Sequence, residues 1–285
     1  DYRIGLSATP ERMFDENGTS LIRSYFGNKS FEFTISDALA TINPLTGRPF
    51  LNHFLYCPIF VELTPSENKL YNKYSQQIAI MKAQDDYDPN DLQKLYDRRA
   101  AVSKNAEEKY EALNVLLEKL NPEKIVDTIL FVSDKQIKKS FDILSDKHIK
   151  RAKITEQESA SKIVNSGGDT ERQEIISQFN HRQLQFLVGI KCLDEGIDIP
   201  NARIAILMSS STNPREFVQR VGRVIRQAEG KQISEIYDFI ATSDSADGLL
   251  KKESQRAQLI AVNADNYKEV KEAFSQRGVN LDANQ

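Results

Sequence analysis

The sequence predicts an α/β protein with a doubly wound parallel sheet, and two patterns in its C-terminal half indicate this fold class. First, short runs of apolar, largely β-branched residues recur at 129–132, 186–190, 204–208 and 236–240. Runs that are apolar at nearly every position suit strands buried on both faces, as in a parallel sheet. Second, the segments between these runs have helical periodicity, and strands that alternate with helices form right-handed βαβ units.

The predicted helices of this region begin at recognisable caps. The segment 137–144 places apolar residues at i, i+4 and i+7, which gives a helix one apolar face. Thr170 opens Thr-Glu-Arg-Gln, a capping-box pattern, and Asn213 precedes a proline that suits the first position of a further helix. The predicted α/β domain therefore extends from about residue 121 to residue 245.

Two segments outside this domain are predicted to be helical. Residues 66–120 are highly charged and nearly free of Gly and Pro, and an acidic turn at 85–89 divides them into two expected helices. A solvated helical hairpin with no catalytic role is the alternative to a functional insertion. Residues 246–285 are also polar and helical in pattern, and they form an expected C-terminal extension with a frayed end.

The composition argues against several classes of protein. The 285 residues carry a net charge of −3, which is unlike a simple basic nucleic-acid-binding module but compatible with a motor that grips a backbone through a few local contacts. Cys57 and Cys192 are too few for a disulfide framework, so a reducing cytoplasm is the expected location. The sequence has neither a metal-ligand spacing nor an apolar run long enough to span a bilayer, so neither a metal site nor a membrane partner is expected.

The strongest candidate site is the stretch 213–226. On the predicted helix, Gln219, Arg223 and Arg226 lie at i, i+4 and i+7 and share one face. Gly222 costs a helix about 1 kcal/mol relative to Ala, which suits a place where another backbone or a phosphate approaches closely. Two guanidiniums and an amide on one face match the charge that spreads over a transferring γ-phosphoryl group. The alternative is a surface arginine pair on a solvated helix.

Two weaker motifs lie earlier in the chain. Gly196 and Asp198 follow the predicted strand 186–190, at the carboxyl end where α/β folds place their ligand sites. Gly196 allows a tight turn, and Asp198 can accept from a ribose hydroxyl or orient an arginine. Ser7 and Thr9, in Ser-Ala-Thr-Pro, can relay hydrogen bonds between an acidic site and a neighbouring domain. Taken singly, the first motif is equally consistent with a turn and the second with a helix cap.

The order of the three motifs carries more information than each motif alone. Ser-Ala-Thr-Pro, then Glu-Gly-Ile-Asp-Ile-Pro, then Gln-x-x-Gly-Arg-x-x-Arg resemble motifs III, V and VI of superfamily 2 helicases, and the likeness is greatest to the XPB-like branch. That branch also looks related to the motors of restriction enzymes and to UvrB. The resemblance implies a RecA-like second motor domain of an ATP-dependent DNA helicase or translocase. The opening of the chain at Asp1, without an initiator Met, fits the expectation that it belongs to a longer protein.

The resemblance also implies roles for the residues of motif VI. Arg223 and Arg226 correspond to arginine fingers that reach the γ-phosphate of ATP, with Gln219 and Gly222 beside them. Arg220 lies off this face of the predicted helix, so its replacement by Ala is expected to be mild.

The earlier motifs receive roles in the same way. Gly196 and Asp198 correspond to residues that line the nucleotide cleft near the ribose. Ser7 and Thr9 correspond to residues that couple hydrolysis to strand movement.

Contacts with nucleic acid are implied at two further positions. Motif IV corresponds to 129–133, so Ser133 is a candidate for a backbone contact. Many relatives have Ser or Thr at the start of motif V, where Ile190 stands here, and Lys191 is the candidate substitute. The implied substrate is DNA, with RNA as the alternative, and nuclease or repair proteins are the implied partners.

The sequence lacks the other half of a nucleotide site. Its only Gly-Lys pair, Gly230–Lys231, is not part of a P-loop, because Gln232 follows it and Ile225 stands where the first glycine belongs. No Asp-Glu-x-Asp or Asp-Glu-x-His sequence occurs, so phosphates and Mg²⁺ have no cradle. The resemblance therefore implies that ATP with Mg²⁺ is bound mainly by a missing first motor domain in cis, and that this chain alone is inactive.

These roles divide the chain into five expected segments and leave two other functions open. The segments are a remnant of the first motor domain (1–14), a linker with the start of the second (15–65), a thumb-like helical insertion (66–120), the RecA-like domain (121–245) and a helical extension (246–285). The other functions are a motor fragment of a restriction or phage-defence system, and a non-catalytic docking module for nucleic acid or protein.

Overall fold

A computed structural model describes most of the chain, which falls into two compact units, residues 1–51 and 52–285. The described residues are 3–5, 16–27, 31–84, 86–123, 125–155, 170–189, 199, 201–209, 214–244 and 248–281, with the side chains of 214–216 excepted.

The first unit is small. It contains the helices α1 (Glu16–Phe26) and α2 (Ile35–Ala40) and a short antiparallel pair, β1 (Ile42–Asn43) with β2 (Arg48–Pro49). Thr34 and Asp37 form a capping box at the start of α2, because each side chain accepts from the backbone N–H of the other, at 3.1 and 2.9 Å. The hydrogen bonds from Thr34 hold the pKa of Asp37 below its usual value.

The second unit is a parallel α/β sheet with helices around it. Its strands are β3 (Phe54–Glu62), β4 (Thr128–Phe131), β5 (Arg151–Ile154), β6 (Phe186–Gly189), β7 (Ile204–Leu207) and β8 (Ser234–Thr242). All neighbouring strands are parallel, in the order β3-β8-β7-β4-β6-β5. The four strands predicted from apolar runs are therefore present, parallel and in one sheet, and the doubly wound fold class is confirmed.

The two strands that the sequence analysis misses, β3 and β5, are the edges of this sheet. Pro58 lies within β3, and a proline is tolerated in a strand where no neighbouring strand needs its N–H. The four residues of β5 include Arg151 and Lys153, so this strand has no continuous apolar run. Edge strands need not be apolar on both faces, and the criterion that finds interior strands does not detect them.

The helices of the second unit are α3 (Pro65–Lys82), α4 (Pro89–Lys104), α5 (Glu108–Lys119), α6 (Ile137–Asp146), α7 (Glu171–Asn180), α8 (Pro214–Val224), α9 (Leu249–Ala261) and α10 (Tyr267–Ser275). In the described part of the chain, no helix is long and apolar enough to cross a membrane.

The segment 66–120 contains three helices rather than the two predicted. Asp88 caps α4 by accepting from the N–H of Asn90 at 2.8 Å, so the acidic turn does separate two helices. The break between α4 and α5 lacks Gly and Pro and gives no sequence signal. Leu113 and Leu117 of α5 are fully buried in the main core beneath the sheet, so this helix is part of the α/β core.

The C-terminal extension is packed more closely than its polar composition suggests. Ala257 and Ile260 of α9 are fully buried, and this helix packs on β8 and on α8. Phe274 of α10 packs edge-on against Phe60 of β3, with ring centroids 5.0 Å apart. Both helices therefore cover the sheet, and α9 supports the helix that carries the strongest candidate site.

Candidate functional site

The strongest candidate site lies on α8, the helix between β7 and β8 in the chain. Phe217 and Val221 are buried against the fold, whereas Gln219, Gly222 and Arg223 are partly exposed. The helix is amphipathic because apolar residues recur at i and i+4 on the buried side. The side predicted to meet a ligand is thus the side that the rest of the described chain leaves accessible.

The end of α8 corrects one prediction. The spacing predicts a helix that continues through Arg226, but the helix ends at Val224, after the N–H of Ile225 bonds to the carbonyl of Val221 at 3.0 Å. Gln219 and Arg223 share a helical face as expected. Arg226 instead follows the helix, exposed, in the turn that leads to β8.

The three carbonyls at this turn receive hydrogen bonds from donors outside the helix. The Nζ atom of Lys231 donates to the carbonyl of Val224 and to that of Arg226, at 2.8 Å for the latter. The N–H of Asn52 donates to the carbonyl of Ile225 at 2.7 Å. These bonds replace the helical bonds that would have continued α8, and they explain why the sequence periodicity overestimates its length.

Gly222 has no packing partner that requires a glycine. A Cβ atom placed on it meets no heavy atom of the described chain within 4 Å, and its backbone is helical. The described part of the chain therefore gives no packing reason for a residue that lowers the stability of the helix. Open space beside Gly222 leaves room for a group from outside the chain.

Arg220 has a structural position, and this corrects the expectation that its replacement is mild. Its side chain is buried, and its Nη1 atom donates to the carbonyl of Ser209 at 2.8 Å. Its guanidinium carbon lies 5.4 Å from the ring centroid of Phe131. Replacement by Ala leaves a cavity and a buried carbonyl without this donor, so it should destabilise the fold.

Ser133 lies at the carboxyl end of β4, but its hydroxyl is used within the chain. The side chain is 6% exposed and its Oγ donates to Oδ1 of Asn105 at 2.5 Å. Its N–H donates to Oε1 of Gln136, whose Nε2 donates to the carbonyl of Lys104 at 3.0 Å. A contact between Ser133 and nucleic acid stays a prediction, and it would require this hydroxyl to leave Asn105.

Lys109 is a buried cation near the carboxyl ends of β4 and β7, and no sequence motif marks it. Its Nζ atom donates to the carbonyls of Met208 at 2.9 Å and Lys104 at 3.3 Å, and the residue is 3% exposed. Burial lowers the pKa of Lys109 to about 8, and Glu253 opposes that effect. The lysine thereby ties the end of α4 to the end of β7, where the chain leaves the sheet towards α8.

This pKa gives a testable pH dependence. The pKa of Lys109 is about 8 in the folded state, and the ordinary pKa of a lysine, 10.5, applies in the unfolded state. Between these two pH values the unfolded chain binds more protons than the folded chain. The free energy of unfolding therefore rises with pH in this window. Lys109→Met should remove a slope of up to about 1.4 kcal/mol per pH unit. Chemical denaturation at several pH values between 7 and 10 measures both slopes, and parallel profiles for the two proteins would contradict the assignment.

A buried ionic cluster joins α8, α9 and the sheet. Asp238 of β8 is fully buried, and it accepts from Arg256 at 2.7 Å and from the hydroxyl of Tyr56 at 2.5 Å. Arg256 also bonds to Glu253 at 2.7 Å, and its guanidinium carbon lies 4.9 Å from the ring centroid of Phe217 on α8. Burial alone would lower the pKa of Arg256, but the two carboxylates raise it, so the cation is firmly charged.

The remaining predicted site residues lie outside the described residues. They are Ser7, Thr9, Lys191, Gly196 and Asp198. Their roles, and the expected separation of less than about 15 Å between Asp198 and Arg223 that one nucleotide site could bridge, therefore stay predictions.

The described side chains around the end of α8 are of types that bind phosphate oxygens. An exposed guanidinium, a partly exposed guanidinium, an amide and an uncrowded glycine occur within eight residues of the chain, and guanidiniums bind phosphate oxygens in pairs. Within the described ranges, no cluster of three or more His, Cys, Asp or Glu residues could hold a metal ion.

Known proteins resemble this chain in sequence and in fold. Residues 108–228 match the family described as helicase conserved C-terminal domain, a range that begins with α5 and ends just after Arg226. The fold resembles the crystal structure of the C-terminal part of the Fun30 ATPase domain, with a TM-score of 0.54 at 15% identity, over 73% of this chain and 89% of that one. Residues 108–228 therefore resemble a helicase C-terminal domain, and the parallel sheet with its flanking helices has the RecA-like fold of such domains.

The sequence is also similar to that of a DNA translocase. It is 26% identical over 247 residues to the DNA 3'-5' translocase XPB2 of Sulfurisphaera tokodaii, over 80% of this chain and 50% of that protein. It is 30% identical over 130 residues to UvrABC system protein B of Fusobacterium nucleatum subsp. nucleatum, over 42% of this chain and 19% of that protein. The chain thus spans half or less of the length of these relatives.

Proposed function

We propose that this chain is the second motor half of an ATP-dependent DNA helicase or translocase of the XPB-like branch. In this proposal, Arg223 and Arg226 reach the γ-phosphate of ATP that a first motor domain holds with Mg²⁺. The observation that carries the proposal is the construction of the α8 end. Arg226 presents an exposed side chain from a backbone whose neighbouring carbonyls are all hydrogen bonded.

The chemistry of this arrangement favours the transition state over the bound substrate. Bound ATP supplies a γ-phosphoryl group that gains charge on its equatorial oxygens during transfer. A guanidinium held at a fixed position stabilises that charge without reorganising, which raises the rate more than it raises affinity. Gln219 orients the guanidinium of Arg223 from the preceding turn of α8, and Gly222 leaves the phosphate room to approach the helix.

The absence of a P-loop from this sequence assigns phosphate and Mg²⁺ binding to the first motor domain. Lys231, in the only Gly-Lys pair, is buried as a cap on α8 and is unavailable to phosphates. The phosphates, the Mg²⁺ ion and the attacking water are therefore assigned to the first motor domain. This chain closes the site from the other side, so hydrolysis can respond to the approach of the two domains.

The substrate assigned to the motor is DNA. One relative is a DNA 3'-5' translocase, and another is a UvrABC system protein. Lys191 and Ser133 are the proposed backbone contacts. If RNA stimulated ATP hydrolysis by the complete protein more than DNA does, the substrate would be reassigned without changing the nucleotide chemistry.

The isolated chain should show no Mg²⁺-dependent ATP turnover, with or without DNA, because it has no P-loop. The complete protein, with both motor domains, should hydrolyse ATP and do so faster with DNA. Phosphate release measures both, and the Arg226→Ala form of the isolated chain identifies contaminants, whose activity it would leave unchanged. Turnover by the wild-type isolated chain that disappears in Arg226→Ala would contradict the division of labour.

A further inference from the structure

Lys231 lies in the turn between α8 and β8, where the sequence suggests only a loop residue. It is 4% exposed, and the preceding Gly230 has a φ of +67°, a left-handed conformation that glycine adopts readily. This turn directs the lysine side chain back beneath the end of α8. A lysine in a helix-to-strand loop is usually solvated, so its burial calls for a physical reason.

The reason is visible in the carbonyls that Lys231 contacts. Its Nζ atom donates to the carbonyls of Val224 and Arg226, and the hydroxyl of Ser234 adds a bond to the carbonyl of Val224 at 3.1 Å. Carbonyls at a helix C-terminus have no partner within the helix, and a cation there also complements the helix dipole. Lys231 thus fixes the backbone on both sides of Ile225 and sets the direction in which Arg226 leaves the helix.

Charged groups near Lys231 come from the three loops that precede β4, β6 and β7. A cavity of about 360 Å³ borders it, lined among others by Asp127, Arg182 and Arg203. Asp127 is paired with Arg182 at 3.0 Å and Arg203 at 3.1 Å. Burial, and then the charge of Arg203, lower the pKa of Lys231 to about 7, and Asp127 opposes both effects. A neutral amine still has two N–H donors for the two carbonyls, so this attachment does not depend on the charge.

From this geometry we propose that Lys231 is a positioning residue for Arg226. The proposal rests on the function proposed above, in which Arg226 contacts the γ-phosphate. Lys231 does not touch the nucleotide. It holds the one backbone segment from which the Arg226 side chain extends, and through that segment it determines whether the guanidinium meets the transferring phosphoryl group.

The test is a double-mutant cycle in the complete protein, with Lys231→Met and Arg226→Ala made singly and together. Lys231→Met keeps the length of the side chain and removes its donors. We expect it to lower kcat by about 10- to 100-fold, the loss associated with a displacement of about 1 Å, with little change in the KM for ATP. In the Arg226→Ala background the same substitution should change kcat by less than about twofold, because its effect is transmitted through Arg226.

Three further variants make the result specific. Lys231→Arg retains donors and should keep most of the activity, and Lys94→Met, at an exposed lysine of α4, should leave kcat unchanged. If Lys231→Met does not fold, as judged by circular dichroism, Lys231→Gln goes through the same cycle, since its shorter amide cannot reach both carbonyls. An undiminished kcat in the folded variant, or an equal loss in both backgrounds, would overturn the proposal. A failure of Arg226→Ala to lower kcat would instead overturn the proposed function.

Discussion

Replacing Arg226 by Ala in the complete protein should lower the kcat of DNA-stimulated ATP hydrolysis by about 10³-fold or more, the range that arginine fingers supply elsewhere. Arg223→Ala should have an effect of the same order. The loss is large because a guanidinium aimed at the γ-phosphate interacts most strongly when charge develops there. Nucleotide binding should fall much less, since the first motor domain makes most of the contacts in the ground state.

Replacement of Arg226 by Lys distinguishes the effect of guanidinium geometry on kcat from the effect of positive charge alone. Arg226→Lys should recover little of the lost kcat, because an ammonium cannot form the paired hydrogen bonds of a guanidinium. Arg98→Ala, at an exposed arginine of α4, is the matched control. Arg220 is unsuitable as a control because its buried side chain supports the fold. Recovery of nearly full activity by Arg226→Lys would show that only the charge matters at this position.

Replacing Arg256 by Ala should lower the free energy of unfolding by about 3–5 kcal/mol, the cost of leaving one partner of a buried ion pair behind. Asp238 is fully buried, and without Arg256 its carboxylate keeps the Tyr56 hydroxyl but loses the cation that it faces at 2.7 Å. The same substitution removes the guanidinium that packs on the Phe217 ring, so α8 should also loosen.

Urea denaturation followed by circular dichroism measures this loss. The double variant Asp238→Asn with Arg256→Met should be less destabilised than Arg256→Ala, because it leaves no unpaired buried charge. Lys94→Ala breaks an exposed pair with Asp91 and should leave the unfolding midpoint unchanged. A loss of less than about 1 kcal/mol for Arg256→Ala would mean that the cluster is not a structural support for α8.

How much of the fold could be predicted depended on where each strand lies in the sheet. The interior strands β4, β6, β7 and β8 are apolar on both faces, and that property is visible in the sequence. The edge strand β3 contains Pro58 and lies more than 60 residues before β4, so no local pattern joins it to the sheet. The pairing of β3 with β8 is seen only in the three-dimensional structure.

The candidate site was also predicted only in part. The order of the motifs identified Gln219, Arg223 and Arg226 as a set, but helical periodicity could not show where α8 ends. Lys231 binds the carbonyls at the end of α8, and no sequence pattern predicts that this lysine is buried. The same holds for Lys109, since buried and solvated lysines have identical letters and differ only in their tertiary surroundings.

The most direct test of the central claim is a paired measurement on Arg223→Ala, Arg226→Ala and Arg98→Ala in the complete protein. The kcat for ATP at saturating DNA and the Kd for a non-hydrolysable ATP analogue are determined on the same preparations. We predict a fall in kcat of about 10³-fold for the first two variants, with a change in Kd of less than about tenfold, and no effect for the third. Losses for Arg223→Ala and Arg226→Ala as small as the loss for Arg98→Ala would show that neither guanidinium acts on the γ-phosphate, and would contradict the assignment of arginine fingers to this chain.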